Sequence, residues 1–383
     1  FVPRSAPGDL ARVRLGKAKR FARGQLLGLE RPSPSRVDPP CPHYTADRCG
    51  GCQIQHLAYS AQLDAKSAII GDALRRIGRR QIANPLVEAS DSPWRYRRKL
   101  TLHLRHSSGR WIAGLHPYDD PAAVFDLRDC PITDERVLAV WAELRRAFDL
   151  LPRVSSLRMS VRLVEQGAAG TLEGGDAWPT SERFFATVPA LTELWWRPDD
   201  RALHRVATRA ATSQAGASFT QVNARVASEL RDHLLARVRH YDPTRIVDGY
   251  AGTGATTIPL AAEGRTVVAI EWDRAAVEQL RENLAAPSSA ISGRVEDHLA
   301  RVLPADVVLL NPPRTGVDVN VTSALEMVDT KPRALFYVSC DPATLARDLS
   351  RLPSYRLESV RGYDMFPQTA HVETVCELVP EAA

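Results

Sequence analysis

The chain has 383 residues, of which 44% are hydrophobic and 25% are charged, so it can form two or three domains with substantial buried cores. No stretch approaches the roughly eighteen uncharged apolar residues of a membrane span, so no such span is predicted. The first residues lack a basic segment followed by an apolar one, which excludes a predicted signal peptide. The formal net charge is +5, and its distribution is more informative than its size.

Positive charge is concentrated at the start of the chain. Residues 1–31 contain eight Lys or Arg and only two acids. The alternation of Ala11, Val13 and Leu15 with arginines predicts a half-buried strand with a basic outer face. We predict that residues 1–34 form part of a small β-barrel that binds a polyanion, most simply nucleic acid. A solvated basic face without a function is the alternative.

A proline-rich linker over residues 31–40 separates this segment from a central region. Helices are predicted over 59–80 and 134–150. Residues 94–110 contain six Lys or Arg and no acid, and their alternating leucines predict a strand with cations and aromatic residues on its exposed side. We expect residues 35–216 to form an α+β domain in which this strand contacts phosphates.

Six cysteines are present, and three of them lie close together. Seven residues separate Cys41 from Cys49, and two separate Cys49 from Cys52. A chain this long with few cysteines does not need disulfides, so the cluster predicts a metal site, with Cys130 as the candidate fourth ligand. Four thiolates suit either an iron–sulfur cluster or zinc, and a disulfide or unrelated thiols are the alternatives. Reduced cysteines indicate a reducing compartment, most simply the cytoplasm.

From about residue 219 the pattern changes to short apolar strands that alternate with helices. Apolar runs of this length between helices are typical of a mostly parallel sheet covered on both faces. We therefore predict that residues 217–383 form an α/β, Rossmann-like domain. Its predicted strands are 245–248, 266–271, 306–311, 334–339, 357–363 and 371–379, and its predicted helices are 223–237, 256–263, 274–284 and 343–352.

A glycine-rich run follows the first of these strands. Gly252 and Gly254 allow the backbone to pass close to a ligand above the carboxyl ends of the strands. Asp248, just before them, suits a ligand with an amino end, such as the methionine part of S-adenosylmethionine. Glu271, at the end of the next strand, is placed to accept hydrogen bonds from ribose hydroxyls. The alternative is a plain tight turn with a surface acid.

Asn311 ends the strand 306–311 and is followed by two prolines and Arg314. A polar residue and two prolines at this position form a rigid wall beside the transferred methyl group. Amino-group methyltransferases usually have an aromatic residue where Arg314 stands, which argues against N-methylation of adenine. Methylation of an exocyclic amino group remains an alternative.

Cys340 lies between a predicted strand and a predicted helix whose N-cap is Asp341. A helix N-terminus lowers the pKa of a thiol, and a cysteine nucleophile acts as a thiolate. Addition of a thiolate at C6 of uracil makes C5 nucleophilic, and a base must then remove the C5 proton. Glu373 is the candidate base, and burial is expected to raise its pKa. The alternatives are an inert core cysteine and an acid paired with a neighbouring arginine.

In combination, and over nearly the whole chain, these residues resemble the RNA 5-methyluridine (uracil-C5) methyltransferases that carry a [4Fe-4S] cluster. The resemblance implies S-adenosylmethionine-dependent methylation of a uridine in structured RNA, either rRNA or tRNA. It implies a small N-terminal RNA-binding barrel, here cut short at its start. It also assigns Cys340 as the nucleophile, Glu373 as the base, Gln221, Tyr250, Glu271 and Asn311 as cofactor contacts, and Cys41, Cys49, Cys52 and Cys130 as cluster ligands.

Two positions depart from the family's pattern. Asn311 stands where the family usually has Asp, and Ala251 stands where Cys is common. From a different class of function, the alternative is a non-catalytic RNA-binding protein with a metal knuckle. The sequence implies RNA as the partner, and it gives no sign of a membrane or of a protein partner.

Overall fold

The structure is a computed structural model that describes residues 1–16, 22–164, 167–209 and 221–381. The predicted basic residues Lys17, Lys19 and Arg20 lie outside this range, as do residues 217–220. The chain forms two compact units. The first unit consists of Phe1–Gln62, Asp91–Gly216 and Pro367–Ala370, and the second of Leu63–Ser90, Ala217–Phe366 and His371–Ala383. The division into 1–34, 35–216 and 217–383 stays a prediction.

The strands of the described residues are, in chain order, β1 (Leu10–Leu15), β2 (Gly24–Arg31), β3 (Val87–Glu88), β4 (Lys99–Ser107), β5 (Arg110–Gly114), β6 (Ser156–Val164), β7 (Gly167–Glu173), β8 (Leu191–Arg197), β9 (His204–Thr208), β10 (Arg245–Gly249), β11 (Thr266–Glu271), β12 (Ser289–Ser292), β13 (Val307–Leu310), β14 (Ala334–Ser339), β15 (Tyr355–Tyr363) and β16 (Glu373–Pro380). The helices are α1 (Pro42–Thr45), α2 (Tyr59–Arg76), α3 (Glu135–Arg146), α4 (Ser181–Thr187), α5 (Ala224–His240), α6 (Thr257–Ala262), α7 (Arg274–Asn283), α8 (Val295–Val302), α9 (Val319–Met327) and α10 (Pro342–Leu349). A short 3-10 helix covers Phe148–Leu150.

The second unit contains a sheet with the strand order β12-β11-β10-β13-β14-β16-β15-β3. The strands from β12 to β14 are parallel to their neighbours, whereas β16 is antiparallel to both β14 and β15. The predicted mostly parallel sheet is therefore confirmed. Its antiparallel end brings β16, the last strand of the chain, next to β14.

Both faces of this sheet are buried. In β10, Val247 packs into one apolar cluster and Ile246 into another. In β14, Tyr337 and Phe336 divide between the same two clusters in the same way. Successive residues of a strand point to opposite faces, so a sheet covered on both sides needs apolar residues at every position. This explains the continuous apolar runs in the sequence.

The first unit contains a six-stranded sheet with the order β5-β4-β6-β7-β8-β9. The predicted strand within residues 94–110 is confirmed as β4, where Leu100, Leu102 and Leu104 are buried and Lys99 and Arg105 are exposed. This alternation leaves one apolar face and one cationic face on the sheet.

The N-terminal segment of the described residues forms a two-stranded antiparallel sheet, β1–β2. The predicted small barrel is not confirmed, because the described part of this segment pairs only these two strands with each other. Among the residues that the structure describes, no helix is long and apolar enough to cross a membrane.

Candidate active site and cysteine pocket

The predicted functional residues of the second unit follow strands that lie side by side. The glycine-rich loop follows β10, Asn311 follows β13 and Cys340 follows β14. These three strands are adjacent and parallel, so the residues that follow them lie at one edge of the sheet. Ligands of open α/β sheets bind at this carboxyl edge.

Glu373 is the first residue of the antiparallel strand β16 and lies at the same edge of the sheet. Ser339, the last residue of β14, pairs with Thr374, the second residue of β16. Cys340 and Glu373 are each one residue beyond that pair, on neighbouring strands. The structure therefore brings together the two residues that the sequence predicted as nucleophile and base.

Glu373 is buried, with 7% of its surface exposed. Burial raises the pKa of its carboxyl to about 7, and the positive charge of Arg314 offsets part of the increase. The direction agrees with the expectation from the sequence. A carboxyl that exchanges its proton near neutral pH is suited to general base catalysis.

The pKa of the Cys340 thiol is raised, whereas the sequence led us to expect that the helix N-terminus would lower it. Burial is the largest cause, and the nearby carboxylate of Glu373 adds to it. Arg314 opposes both effects through its charge and through a hydrogen bond to the thiol. Arg314 is thus the cation that favours the thiolate form of Cys340.

The amides at the start of helix α10 are already hydrogen-bonded to a side chain. The Asp341 carboxylate caps this helix and accepts hydrogen bonds from the amides of Ala343 at 3.0 Å and Thr344 at 2.9 Å. Donors that are occupied by one anion are not available to a second anion. The capping acid that makes the helix easy to predict thus occupies two amides that could otherwise donate to an anion at this end of the helix.

Asp348 is hydrogen-bonded to the loop that carries Arg314. The sequence analysis did not identify Asp348 as a functional residue. Its side chain is fully buried and accepts hydrogen bonds from the amide of Val317 at 2.9 Å and the hydroxyl of Tyr337 at 2.7 Å. Val317 ends the loop after the two prolines, so these bonds fix the loop against β14 and α10. No sequence motif surrounds Asp348, and an acid on a short helix usually indicates a solvated position.

The glycine-rich loop needs its glycines for two different reasons. Gly252 has a φ of +54°, its amide donates to the Glu271 carboxylate at 2.8 Å, and a Cβ there would meet no atom within 4 Å. Gly254 has a φ of +89°, and its Cβ would lie 2.4 Å from Leu280 of helix α7. Gly252 therefore borders open space, whereas Gly254 permits close packing.

Asp248 is buried beneath this loop, with 2% of its surface exposed. Its carboxylate accepts hydrogen bonds from the hydroxyls of Thr256 and Thr257, each at 2.6 Å. Burial raises the pKa of Asp248 to about 6. These contacts give Asp248 a role in shaping the loop, and its contact with the amino end of a cofactor stays a prediction.

Glu271 and Tyr250 flank the loop. The second carboxylate oxygen of Glu271 accepts a hydrogen bond from the amide of Asp273 at 2.7 Å, so the backbone orients both oxygens. Each oxygen has a further lone pair that can accept a hydroxyl. Tyr250 has a φ of +64° and is half-buried. Their positions at the edge of the sheet are compatible with the predicted cofactor contacts.

Asn311 and Gln221 complete the predicted set. Asn311 is exposed, and its amide donates to the carbonyl of Gly249 at 3.3 Å, which holds the ends of β13 and β10 together. Gln221 is half-buried and lies two residues before Asn223, the N-cap of α5. Phe219 and Thr220, the two residues before Gln221, lie outside the described residues.

The four cysteines predicted to bind metal line one cavity of about 170 Å³ in the first unit. All four are buried free thiols. Within the described ranges, no group of three His, Cys, Asp or Glu side chains converges closely enough to hold a metal ion. The predicted metal site is therefore not confirmed, and the iron–sulfur cluster and the zinc alternative both stay predictions.

Hydrogen-bond donors approach the sulfur atoms of this cysteine pocket. The amide of Gly51 donates to Cys49 at 3.4 Å, and the side chain of Gln55 donates to Cys52. Burial raises the pKa of Cys49 to about 11 and that of Cys52 to about 12. A bound metal centre deprotonates such thiols, and N–H groups that point at sulfur stabilise the thiolates.

Comparisons with known proteins identify the family. The family described as tRNA (Uracil-5-)-methyltransferase matches residues 293–379. An RNA methyltransferase of Thermosynechococcus vestitus is 34% identical over 99% of this chain and 92% of its own length. The 23S rRNA (uracil(1939)-C(5))-methyltransferase RlmD of Pectobacterium atrosepticum is 33% identical over 98% of this chain and 87% of its own length. The chain belongs to the RNA uracil-5-methyltransferase family.

A solved structure shows the same fold. The tRNA (uracil-54, C5)-methyltransferase of Pyrococcus abyssi, in complex with S-adenosyl-L-homocysteine, has a TM-score of 0.71 and 22% identity, and the match covers 99% of this chain and 94% of that chain. The predicted α/β fold of S-adenosylmethionine-dependent methyltransferases is confirmed. The protein is an enzyme of the S-adenosylmethionine-dependent RNA uracil-C5 methyltransferase family, as the sequence predicted.

Proposed function

We propose that this enzyme methylates C5 of a uridine in structured RNA, either rRNA or tRNA, through a covalent bond between Cys340 and C6. The observation that carries the proposal is the juxtaposition of Cys340 and Glu373 at the paired ends of β14 and β16. The relatives whose names give a target act on uracil in 23S rRNA and in tRNA, which supports the same class of substrate here.

In the proposed reaction, Cys340 gives its proton to solvent, and the sulfur of the resulting thiolate bonds to C6 while the C5=C6 electrons shift to form an enolate. S-adenosylmethionine, when bound, supplies the methyl group to C5. C5 then carries both the methyl group and its original hydrogen. Glu373 takes that hydrogen as a proton, the C5=C6 bond re-forms, and the C6–sulfur bond breaks to release the Cys340 thiolate.

Arg314 is proposed to assist the first step. Its guanidinium group lowers the pKa of Cys340 against the opposing effects of burial and Glu373. The same charge limits the rise in the pKa of Glu373. One cation therefore favours the ionised forms of both catalytic groups.

We propose that the cofactor binds along the carboxyl edge formed by β11, β10 and β13. The open space beside Gly252 and the backbone-oriented carboxylate of Glu271 support this location. The proposed cofactor contacts are Gln221, Asp248, Tyr250, Gly252, Gly254, Glu271 and Asn311.

We propose that Cys41, Cys49, Cys52 and Cys130 hold a [4Fe-4S] cluster. The cavity that all four cysteines line and the donors to the sulfur atoms of Cys49 and Cys52 support this proposal, and zinc is the alternative. When bound, the cluster joins the 41–52 loop to Cys130 through iron–thiolate bonds. Iron and acid-labile sulfide, measured on anaerobically purified protein, should each reach about four per chain, and the Cys130→Ser variant should retain less of both.

We propose that RNA contacts the cationic face of the first unit's sheet. Lys99 pairs in register with Arg162, and His103 pairs with Arg158, so β4 and β6 place basic side chains next to one another. Loss of water around the Lys99 ammonium group and the charges of Arg162 and Arg158 lower the pKa of Lys99. Lys99 and Arg158 are exposed on this face and can contact phosphates, whereas Arg162 is buried beneath it and adds positive charge from below.

The deciding experiment incubates purified enzyme with S-adenosylmethionine and unmodified rRNA or tRNA and identifies the modified nucleoside by mass spectrometry. We expect 5-methyluridine from the wild type and none from Cys340→Ala. Normal turnover by Cys340→Ala would overturn the covalent mechanism. A methylated adenine or guanine would instead support the alternative, methylation of an exocyclic amino group.

A further inference from the structure

Lys66, on helix α2, is a fully buried cation that the proposed reaction does not use. Its ammonium group forms an ion pair with Asp364, and neither side chain has any exposed surface. Burial lowers the pKa of Lys66, and Asp364 opposes that shift. Burying two charges costs several kcal/mol per ion before their attraction offsets it, so apolar residues could stabilise this position as well.

Asp364 lies at the end of the strand next to the proposed base. It follows Tyr363, the last residue of β15, and Tyr363 pairs with Glu373 across the β15–β16 ladder. The amide of Asp364 also donates to the carbonyl of Glu88 at 2.9 Å. Glu88 therefore fixes the backbone of Asp364 and Lys66 fixes its side chain, next to the strand position of Glu373.

Lys66 also contacts Phe366, the last residue of the range 217–366 of the second unit. Its ammonium group donates to the carbonyl of Phe366 at 3.0 Å. The ring of Phe366 packs edge-on against that of His371, with centroids 6.0 Å apart, and His371 lies two residues before Glu373. The contacts of Lys66 thus continue, through Phe366, to the segment that carries the base.

We propose that Lys66 is a positioning residue that holds Asp364 and Phe366 so that Glu373 points at the C5 proton of the substrate. The inference rests on the proposed role of Glu373. A single ammonium group supplies donors for both the carboxylate and the carbonyl, which an apolar side chain cannot do. A displacement of about 1 Å in a catalytic group can lower a rate by about a hundredfold, so the cost of the buried pair has a functional explanation.

The test uses three variants of the full-length enzyme. Lys66→Met removes the cation, Asp364→Asn removes the anion, and the double variant removes both charges. Because the double variant leaves no unpaired buried charge, we expect it to recover most of the thermal stability lost in the single variants. The hydrogen bond from Lys66 to the Phe366 carbonyl is still lost there, so the catalytic defect should remain.

The readouts are kcat, the KM values for RNA and S-adenosylmethionine, and the fraction of enzyme bound covalently to RNA on a denaturing gel. We expect Lys66→Met and the double variant to lose about tenfold to a hundredfold in kcat, with KM values changed by less than about twofold. The covalent fraction should rise, because the adduct cannot lose its C5 proton.

The matched control is Arg237→Met. Arg237 pairs with Glu377 at 2.7 Å, and Glu377 is buried on the same strand as Glu373. This variant should lose stability without accumulating the adduct. A double variant with the kcat and covalent fraction of the wild type would overturn the inference, and so would a loss of activity without adduct.

Failure of the proposed function would give a different result. In that case Cys340→Ala would retain turnover, and Glu373→Gln would form no covalent complex. If both of those variants behave as proposed while the double variant matches the wild type, only the positioning role of Lys66 is wrong.

Discussion

Cys340 and Glu373 meet one residue beyond the Ser339–Thr374 pair, where the last parallel strand of the sheet lies beside its antiparallel neighbour. The parallel part of the sheet presents the cofactor edge, and the antiparallel strand adds a buried carboxyl beside the thiol. A fully parallel sheet would place the start of β16 at the opposite edge. The strand reversal is thus what allows a base to face the nucleophile.

Replacing Cys340 with alanine should abolish methylation, because no other group at this edge supplies a sulfur nucleophile in the proposed reaction. Transfer of a radiolabelled methyl group to RNA measures the loss. Cys376→Ala is the control, since Cys376 lies on β16, is fully buried and has no proposed role. It should lower the melting temperature and retain turnover, whereas its inactivation with intact folding would contradict the assignment.

Replacing Glu373 with glutamine should trap the enzyme on its RNA. The amide has nearly the same shape but cannot accept the C5 proton, so methyl transfer proceeds once and the adduct persists. Denaturing gel electrophoresis with labelled RNA detects the complex. The control Glu358→Gln alters an exposed acid on the neighbouring strand β15 and should leave no adduct. Rapid release of methylated RNA by Glu373→Gln would show that another base acts.

The breakdown of the adduct should accelerate as the pH rises through about 7. Burial raises the pKa of Glu373 to about 7, and the carboxyl accepts a proton only in its ionised form. The rate is therefore low below the pKa and levels off above it. Single-turnover measurements across this range test the expectation. Arg314→Met should move the midpoint to higher pH, because Arg314 lowers the pKa of both Glu373 and Cys340.

Much of the catalytic fold could be predicted because its strands are buried on both faces. The bounds of β11 and β14 agree with the predicted 266–271 and 334–339. β12 was missed because its four residues are exposed or half-buried and give no apolar run. Helices α8 and α9 were also missed.

The ionisation of the site residues was harder to predict than their identity. The sequence placed Cys340 at a helix start, but the sign of its pKa shift depends on burial and on Glu373, which only the fold determines. The sequence analysis did not identify Lys66 and Asp348 as functional residues, because their burial also depends on the fold. Charged residues on helices usually face water, and no local pattern distinguishes the buried exceptions.

The two loop glycines should respond differently to alanine. At Gly254 the new Cβ meets Leu280 at 2.4 Å, so Gly254→Ala should lower the melting temperature by several degrees. At Gly252 the Cβ meets open space, and the positive φ costs only about 1 kcal/mol. Gly252→Ala should therefore fold well but bind S-adenosylmethionine weakly, as calorimetry can measure. Equal cofactor affinity in Gly252→Ala and the wild type would place the cofactor elsewhere.

Removing charge from the cationic sheet face should weaken RNA binding and its dependence on salt. Each Lys or Arg that neutralises a phosphate releases about one counterion, so Lys99→Gln and Arg158→Gln should each reduce the logarithmic salt slope by roughly one. Filter binding at several salt concentrations measures the slope. Arg136→Gln is the control, because Arg136 is exposed on helix α3, whose buried residues pack in the core of this unit. If all three variants lose affinity equally, binding follows net charge alone and the sheet face is not the interface.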